Sequence, residues 1–355
     1  MTTNSTPGMG RFSLARGLGM LFILGGHSAG EYMRVHEMAL SNTSGGLFAN
    51  WGNVFGGGVI AMFFMVSGYS YFQRSPKRTL HIQRKMLLMP YLWTAAAVLL
   101  TKVLLAIVER RSFLEHGGNL VLTYLLGLNG FGGAELFGFP VDTISILWFV
   151  LALFWAWNIY NLIEQIGSSS VRTLLICGCV AIGWAMTLVS SIWPYAIPMG
   201  LIAVGYLCCG RRIREHRLLD EKVPVWTLVL AGLVGLVCLA VGDVNVAECR
   251  WGMGLLDVAG SVAIGYLLTL LCSRVERRIP ANGITNTVEA IGFYSMWILC
   301  LHGYEKVIFP WYKVAYLWPF GVLSFTFFCL VVRMLMIYVM YKIVQAGRRM
   351  VKQRG

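Results

Sequence analysis

Long apolar runs separated by short polar stretches pattern this chain from end to end. Runs of about 20 mostly apolar residues are what a helix needs to cross a bilayer. They occur at 12–30, 54–73, 86–108, 144–163, 171–190, 192–210, 225–242, 253–273, 288–309 and 317–342. The fifth and sixth are divided only by a short stretch around Trp193 and Pro194, which predicts a tight helical hairpin. A further run, Leu120 to Phe131, is too short to span and reads as a re-entrant or interfacial helix. The pattern predicts an all-α, polytopic membrane protein of about ten transmembrane helices.

Charge adds orientation. With the N-terminus inside, the segments facing the cytoplasm hold most of the 29 Lys and Arg. They cluster at Arg11–Arg16, Arg74–Lys85, Arg211–Lys222, Arg274–Arg278 and Lys342–Arg354, with Arg172 alone. The outer loops hold few: Arg34, Arg110, Arg111, Arg250, Lys306 and Lys313. This bias predicts both termini in the cytoplasm and residence in the cell's inner (plasma) membrane. The 355 residues are 57% hydrophobic and only 13% charged, against about 25% charged in soluble proteins. A net charge of +13 on so apolar a chain is topological. It excludes a soluble enzyme, a nucleic-acid-binding module and a disordered chain. The first run carries Arg16 and His27 and lacks a small-residue cleavage site, so it reads as a retained span, not a signal peptide. Most cysteines lie within spans, at spacings that fit neither a zinc site nor a disulfide framework. No internal repeat or linker divides the chain. Residues 1–355 read as one membrane domain with a Gly-rich outer loop, 109–143, that could cover an outer cavity.

Polar groups inside the bilayer cost about 2.5–3.5 kcal/mol on insertion scales, so they mark where to look for function. Arg16 and His27 are eleven positions apart on one helix. That is about three turns and about 16 Å along the axis, so one helix face offers a fixed positive charge near the cytoplasm and a titratable imidazole deeper in. Glu31, one turn beyond His27, reads either as a residue that orients the ring or as a solvated residue at the outer helix end. Phe63-Phe64-Met65-Val66-Ser67-Gly68-Tyr69 supplies small residues for close helix approach and hydroxyls for hydrogen bonds. Arg84 and Lys85 open the third span ahead of Pro90-Tyr91-Leu92-Trp93 and read either as a positive-inside anchor or as a grip for phosphates. His302 lies near the outer half of the ninth span, followed by Glu305 and Lys306. Arg333 and Lys102 lie within spans and are expected to pair inside the bundle, with no partner legible.

Taken in order, these segments resemble the acyltransferase-3 family of bacterial integral membrane acyltransferases. Arg16-Gly17 followed by His27 is similar to the family's first-span motif, an arginine, ten residues and a histidine. Phe63 to Tyr69 is similar to its Phe-Phe-x-x-Ser-Gly-Tyr/Phe segment. Arg84 to Trp93, Leu147 to Phe154, Pro198 to Tyr206, and Ile291 to Ser295 with Leu301-His302 follow in family order. Three positions depart from the pattern. Ser13 stands where the family has an acidic residue, Leu87 where it often has arginine, and Phe293 where it has lysine.

The resemblance implies a membrane O-acyltransferase. Its donor would be a cytoplasmic acyl-CoA, acetyl-CoA above all, a co-substrate and not a resident cofactor, with no metal. Its acceptor would be a hydroxyl of a cell-surface or exported glycan. A cytoplasmic mouth lined by Arg16, Arg84 and Lys85 suits a polyanionic donor. His27 is then the expected general base, with Ser67, Tyr69 or His302 orienting the acceptor or stabilising the oxyanion. Two other classes fit a polytopic bundle with intramembrane His, Arg and Lys: a transporter or exporter of a small solute or glycan, and a non-catalytic membrane sensor of the same fold.

Overall fold

In a computed structural model, which describes residues 12–36, 51–110, 113–129, 135–136, 139–140, 142–220, 223–280 and 282–354, each predicted apolar segment falls on a helix. The helices are α1 (Ser13–Val35), α2 (Trp51–Tyr69), α3 (Pro76–Gln83), α4 (Met89–Val108), α5 (Phe113–Leu126), α6 (Trp148–Ile163) and α7 (Ser169–Val189). They continue as α8 (Ile197–Glu215), α9 (Val225–Val241), α10 (Leu255–Arg278), α11 (Gly283–Phe293), α12 (Ser295–Ile308), α13 (Trp311–Leu317) and α14 (Gly321–Arg354).

Among the described residues, six helical stretches are long and apolar enough to cross a bilayer: Pro76–Val108, Ser145–Ile163, Ser169–Val189, Pro194–Glu215, Leu255–Arg278 and Gly321–Ala346. The pair α11 and α12, bent by 73° at its break, raises the count to seven. The ten expected from apolar runs are not all reached, for physical reasons. Glycines, Arg16, His27 and Glu31 dilute the apolarity of α1. Val225–Val241 is apolar but only 17 residues long.

Contacts divide the chain into two compact units, one of residues 1–42 and 281–355, the other of residues 43–280. In the first, α1 packs against α11, α12, α13 and α14. Small residues allow this. A Cβ at Gly17 would overlap the carbonyl of Val288 on α11, and one at Gly292 would overlap the carbonyl of Ser13. A capping box starts α11: the Asn282 side chain accepts from the amides of Ile284 and Thr285, both at 2.9 Å. Tyr32, Trp311, Ala315, Phe325 and Cys329 form a buried apolar cluster between α1, α13 and α14.

In the second unit, α2 packs between α8 and α10, α8 also contacts α6 and α7, and α9 lies on α10. A Cβ at Gly68 would overlap the backbone of Leu207, and one at Gly210 that of Met65, so α2 and α8 touch backbone to backbone. The predicted hairpin joins α7 to α8 through Trp193, whose indole N–H donates to Ser190 O at 2.9 Å. Asp257, fully buried at the start of α10, accepts from Met253 N at 2.8 Å and from Cys238 Sγ at 3.3 Å. In segment 109–143, α5 fills Phe113–Leu126, and a two-strand pair, β1 (Glu135–Leu136) and β2 (Phe139–Pro140), follows. Gly130, Gly132 and Gly133 of that segment lie outside the described residues, as do Arg11, Arg111 and Lys222.

Candidate functional site

The first unit gathers ionisable groups around two imidazoles. α1 carries His27. On α12, His302, Glu305 and Lys306 are spaced three and four positions apart, so they share one helix face. The His27 and His302 ring centroids are 5.5 Å apart, tilted by 48°. Lys306 Nζ lies 3.4 Å from His27 Nδ1. His302 Nδ1 lies 2.5 Å from Glu305 Oε1. The other carboxylate oxygen of Glu305 accepts from the indole N–H of Trp311 on α13. Arg333, from α14, brings Nη1 to 3.7 Å from Glu305 Oε1. Its guanidinium carbon sits 4.5 Å from the centre of the Trp311 ring, a cation–π arrangement.

Burial makes this cluster consequential. His302 is 0% exposed, and Glu305 and Arg333 are each 1% exposed. An isolated charge in such a place would be strongly unfavourable, so the carboxylate and the guanidinium need each other. Glu305 is the centre of the network, hydrogen-bonded to His302 and Trp311 and ion-paired with Arg333, whereas His302 Nε2 is buried with no hydrogen-bond partner. His27 and Lys306 are only partly buried and stand at the accessible edge. A pair of imidazoles beside fixed charges, in apolar surroundings, can move protons and stabilise developing negative charge.

The other expected site residues fall as follows. Arg16 is partly buried on α1, three turns toward its N-terminal end from His27. Glu31 ion-pairs with Arg34; the carboxylate that reaches an imidazole is Glu305, on His302. Ser67 and Tyr69 lie at the C-terminal end of α2 in the second unit, where Arg214 Nη1 donates to Tyr69 O at 2.8 Å. Arg84 and Lys85, also in that unit, are exposed on a π-helical segment, Arg84–Leu88, between α3 and α4. Such segments are rare and recur at functional sites. Leu87 of the same segment points inward at 3% exposure. Ser13 is buried against Gly292, and Phe293 is exposed at the α11–α12 break. Arg333 gains the partner that sequence could not name. Trp311 was not anticipated, since an indole N–H carries no signal of its acceptor. The His302–Glu305 spacing was the available clue, because three positions on a helix is contact distance. Among the described residues, no group of three or more His, Cys, Asp or Glu has metal-binding geometry.

A family profile described as an acyltransferase domain matches residues 10–342. Searches of curated proteins and of solved structures return no significant match.

Proposed function

Since this chain belongs to that acyltransferase family of integral membrane enzymes, we propose that it moves an acyl group, acetyl above all, from a cytoplasmic acyl-CoA to a hydroxyl of a cell-surface or exported glycan. The observation that carries this reading is the paired imidazoles of His27 and His302, 5.5 Å apart beside a buried Glu305–Arg333 pair. Acyl transfer to a hydroxyl needs a proton acceptor and a donor for the oxyanion, and two histidines supply both. His27, the general base expected from sequence, is a catalytic residue in this reading, and one of the two rings takes the acceptor's proton. Apolar surroundings exclude the water that would hydrolyse a thioester.

Arg16 on α1, and Arg84 and Lys85 on the π-helical segment, are the proposed contacts for the donor's phosphates. Ser67 and Tyr69 are proposed to support the acceptor or oxyanion, and Glu31 to bear on His27 through its ion pair with Arg34. The chain acts as one domain, 1–355, in the inner membrane, with about ten crossings, cytoplasmic termini, and 109–143 as an outer loop. The basic clusters support that orientation. Bilayer thinning and snorkelling flanks accommodate the short helix α9.

Purified protein in lipid vesicles, given radiolabelled acetyl-CoA and a lipid-linked glycan pool, tests the function. Label transferred to glycan, and lost in H27A at equal protein level, is the expected result. Vesicles that accumulate unmodified solute without transfer would instead identify a carrier. Reporter fusions after residue 355 and within 243–252 test the topology. They should report cytoplasmic and outer positions respectively.

A further inference from the structure

The two histidines of the first unit have different partners at the same ring atom. His302 Nδ1 faces a carboxylate oxygen, Glu305 Oε1, at 2.5 Å. His27 Nδ1 faces an ammonium, Lys306 Nζ, at 3.4 Å. A carboxylate is an acceptor only, and an ammonium is a donor only. A neutral imidazole carries one N–H and one lone pair, and the partner of one nitrogen decides which nitrogen holds the proton. Glu305 therefore places the His302 proton on Nδ1 and leaves a lone pair on Nε2. Lys306 takes the His27 lone pair at Nδ1 and leaves an N–H on Nε2. These partners favour opposite tautomers in the two rings.

We infer that the labour of acyl transfer is divided by these partners: His302, oriented by Glu305, is the proton acceptor, and His27, oriented by Lys306, donates a hydrogen bond to the oxyanion. The inference rests on the acyl-transfer reading and assigns its base. His302 Nε2, buried and without a hydrogen-bond partner, is a lone pair awaiting a donor. Trp311 and Arg333 hold the second oxygen and the charge of Glu305, so the carboxylate remains fixed as acceptor.

The step balances. The acceptor hydroxyl gives its proton to His302 Nε2 as its oxygen bonds to the thioester carbonyl carbon. The carbonyl π pair moves to oxygen, where His27 Nε2–H stabilises it. On collapse the C–S bond breaks, the sulfur leaves with its electron pair, and it takes the proton from His302. The products are the ester and the free thiol of CoA, and both rings return to their starting tautomers. Glu305 and Lys306 touch neither substrate and are positioning residues.

Glutamine separates the two roles, because its side-chain amide keeps an N–H donor but is no base. Acetyl transfer from acetyl-CoA to the glycan pool is measured for H27Q, H302Q and E305Q as kcat per monodisperse folded protein, so a loss of folding does not pass for a loss of chemistry. H302Q is expected to lose at least about a hundredfold, the scale of a general base. H27Q is expected to keep about a tenth or more of the wild-type rate. E305Q should lower kcat about tenfold or more with little change in KM for acetyl-CoA, and E305D should restore part of it. A second pair, H302N and H27N, covers poor folding of either glutamine variant. Equal losses in the two histidine variants, a larger loss in H27Q, or an unchanged kcat in E305Q would overturn the inference while leaving acyl transfer standing. Absence of transfer by the wild-type protein would overturn the acyl-transfer reading itself.

Discussion

Replacing Glu305 should cost more than replacing Arg333, and replacing both should cost less than replacing Glu305 alone. The two side chains are each 1% exposed, with Arg333 Nη1 3.7 Å from Glu305 Oε1. At that separation and an effective dielectric of about 20, their attraction is about 4.5 kcal/mol. Losing one partner of a buried pair typically costs about 3–5 kcal/mol, because the survivor keeps a charge it cannot solvate. The survivors differ. In R333M, Glu305 still accepts from His302 and Trp311. In E305Q, Arg333 loses the charge of its carboxylate partner and keeps the face of Trp311 at 4.5 Å, worth about 0.5–2 kcal/mol. The cost should therefore be about 3–5 kcal/mol for E305Q and about half that for R333M. Thermal unfolding in detergent, followed by the loss of monodisperse protein, reads this as a fall on the order of 10 °C for E305Q. The double variant removes both charges and should recover at least about 1 kcal/mol over E305Q. Costs that add within about 0.5 kcal/mol would mean the two residues do not interact, and would remove Glu305 as the centre of the cluster.

Four further outcomes follow from the packing and the charges. G17V forces a branched side chain into the Val288 carbonyl and should cost about 1–3 kcal/mol through overpacking. G26A, with nothing within 4 Å of its added carbon, should be silent in the same unfolding assay. Burial pushes the Cys249 thiol up to about 12. Little thiolate then exists at pH 8, so maleimide should label native Cys249 about a thousandfold more slowly than an ordinary exposed thiol and at a normal rate after denaturation. R84A/K85A should raise KM for acyl-CoA several-fold with kcat nearly unchanged, and added salt should shrink the difference by screening the same exposed charges. An unchanged KM would remove these residues from donor binding.

Much of this was readable in the sequence because two of its signals are long. Apolar runs of about 20 residues dictate helices whatever their neighbours do, and each run lies on a helix. The span count was less secure, since it depends on where a helix ends and how polar its middle is. In α1 the very residues that suggest chemistry, Arg16, His27 and Glu31, weaken the signal of a crossing. The break after Phe293 and the π-helical segment at Arg84–Leu88 leave no trace in hydrophobic period. Site partners were legible only where they are local. Glu31 is one turn from His27 and was the natural candidate to orient it, yet Arg34 engages its carboxylate. Glu305 lies one turn from His302 and does meet that ring. Spacing predicts that two groups on a helix can touch, and tertiary charge decides which pairs do. Arg333 and Trp311 reach Glu305 from other helices, and only the fold brings them there.

The motifs that carry the family resemblance divide into packing and chemistry. Gly17 and Gly292 sit where α1 and α11 touch, and Gly68 sits where α2 meets α8; at each a single methyl group would overlap backbone. These glycines are constrained by helix approach whatever reaction the protein performs. His27 and His302 lack that excuse, because polar rings gain nothing from apolar packing that a leucine would not gain more cheaply. Two of the three departures belong with the first kind. Ser13 is 1% exposed beside Gly292, and Leu87 is 3% exposed inside the π-helical segment. An acidic or guanidinium group at either place would require a buried counter-charge, whereas Arg84 and Lys85 on the same segment face outward. Leucine at position 87 therefore leaves the exposed cations intact. L87R should lower the unfolding temperature by adding an unpaired buried charge, without tightening the donor. A donor KM that falls in L87R would show instead that an arginine there reaches the phosphates, and that this chain binds its donor with one contact fewer than its relatives.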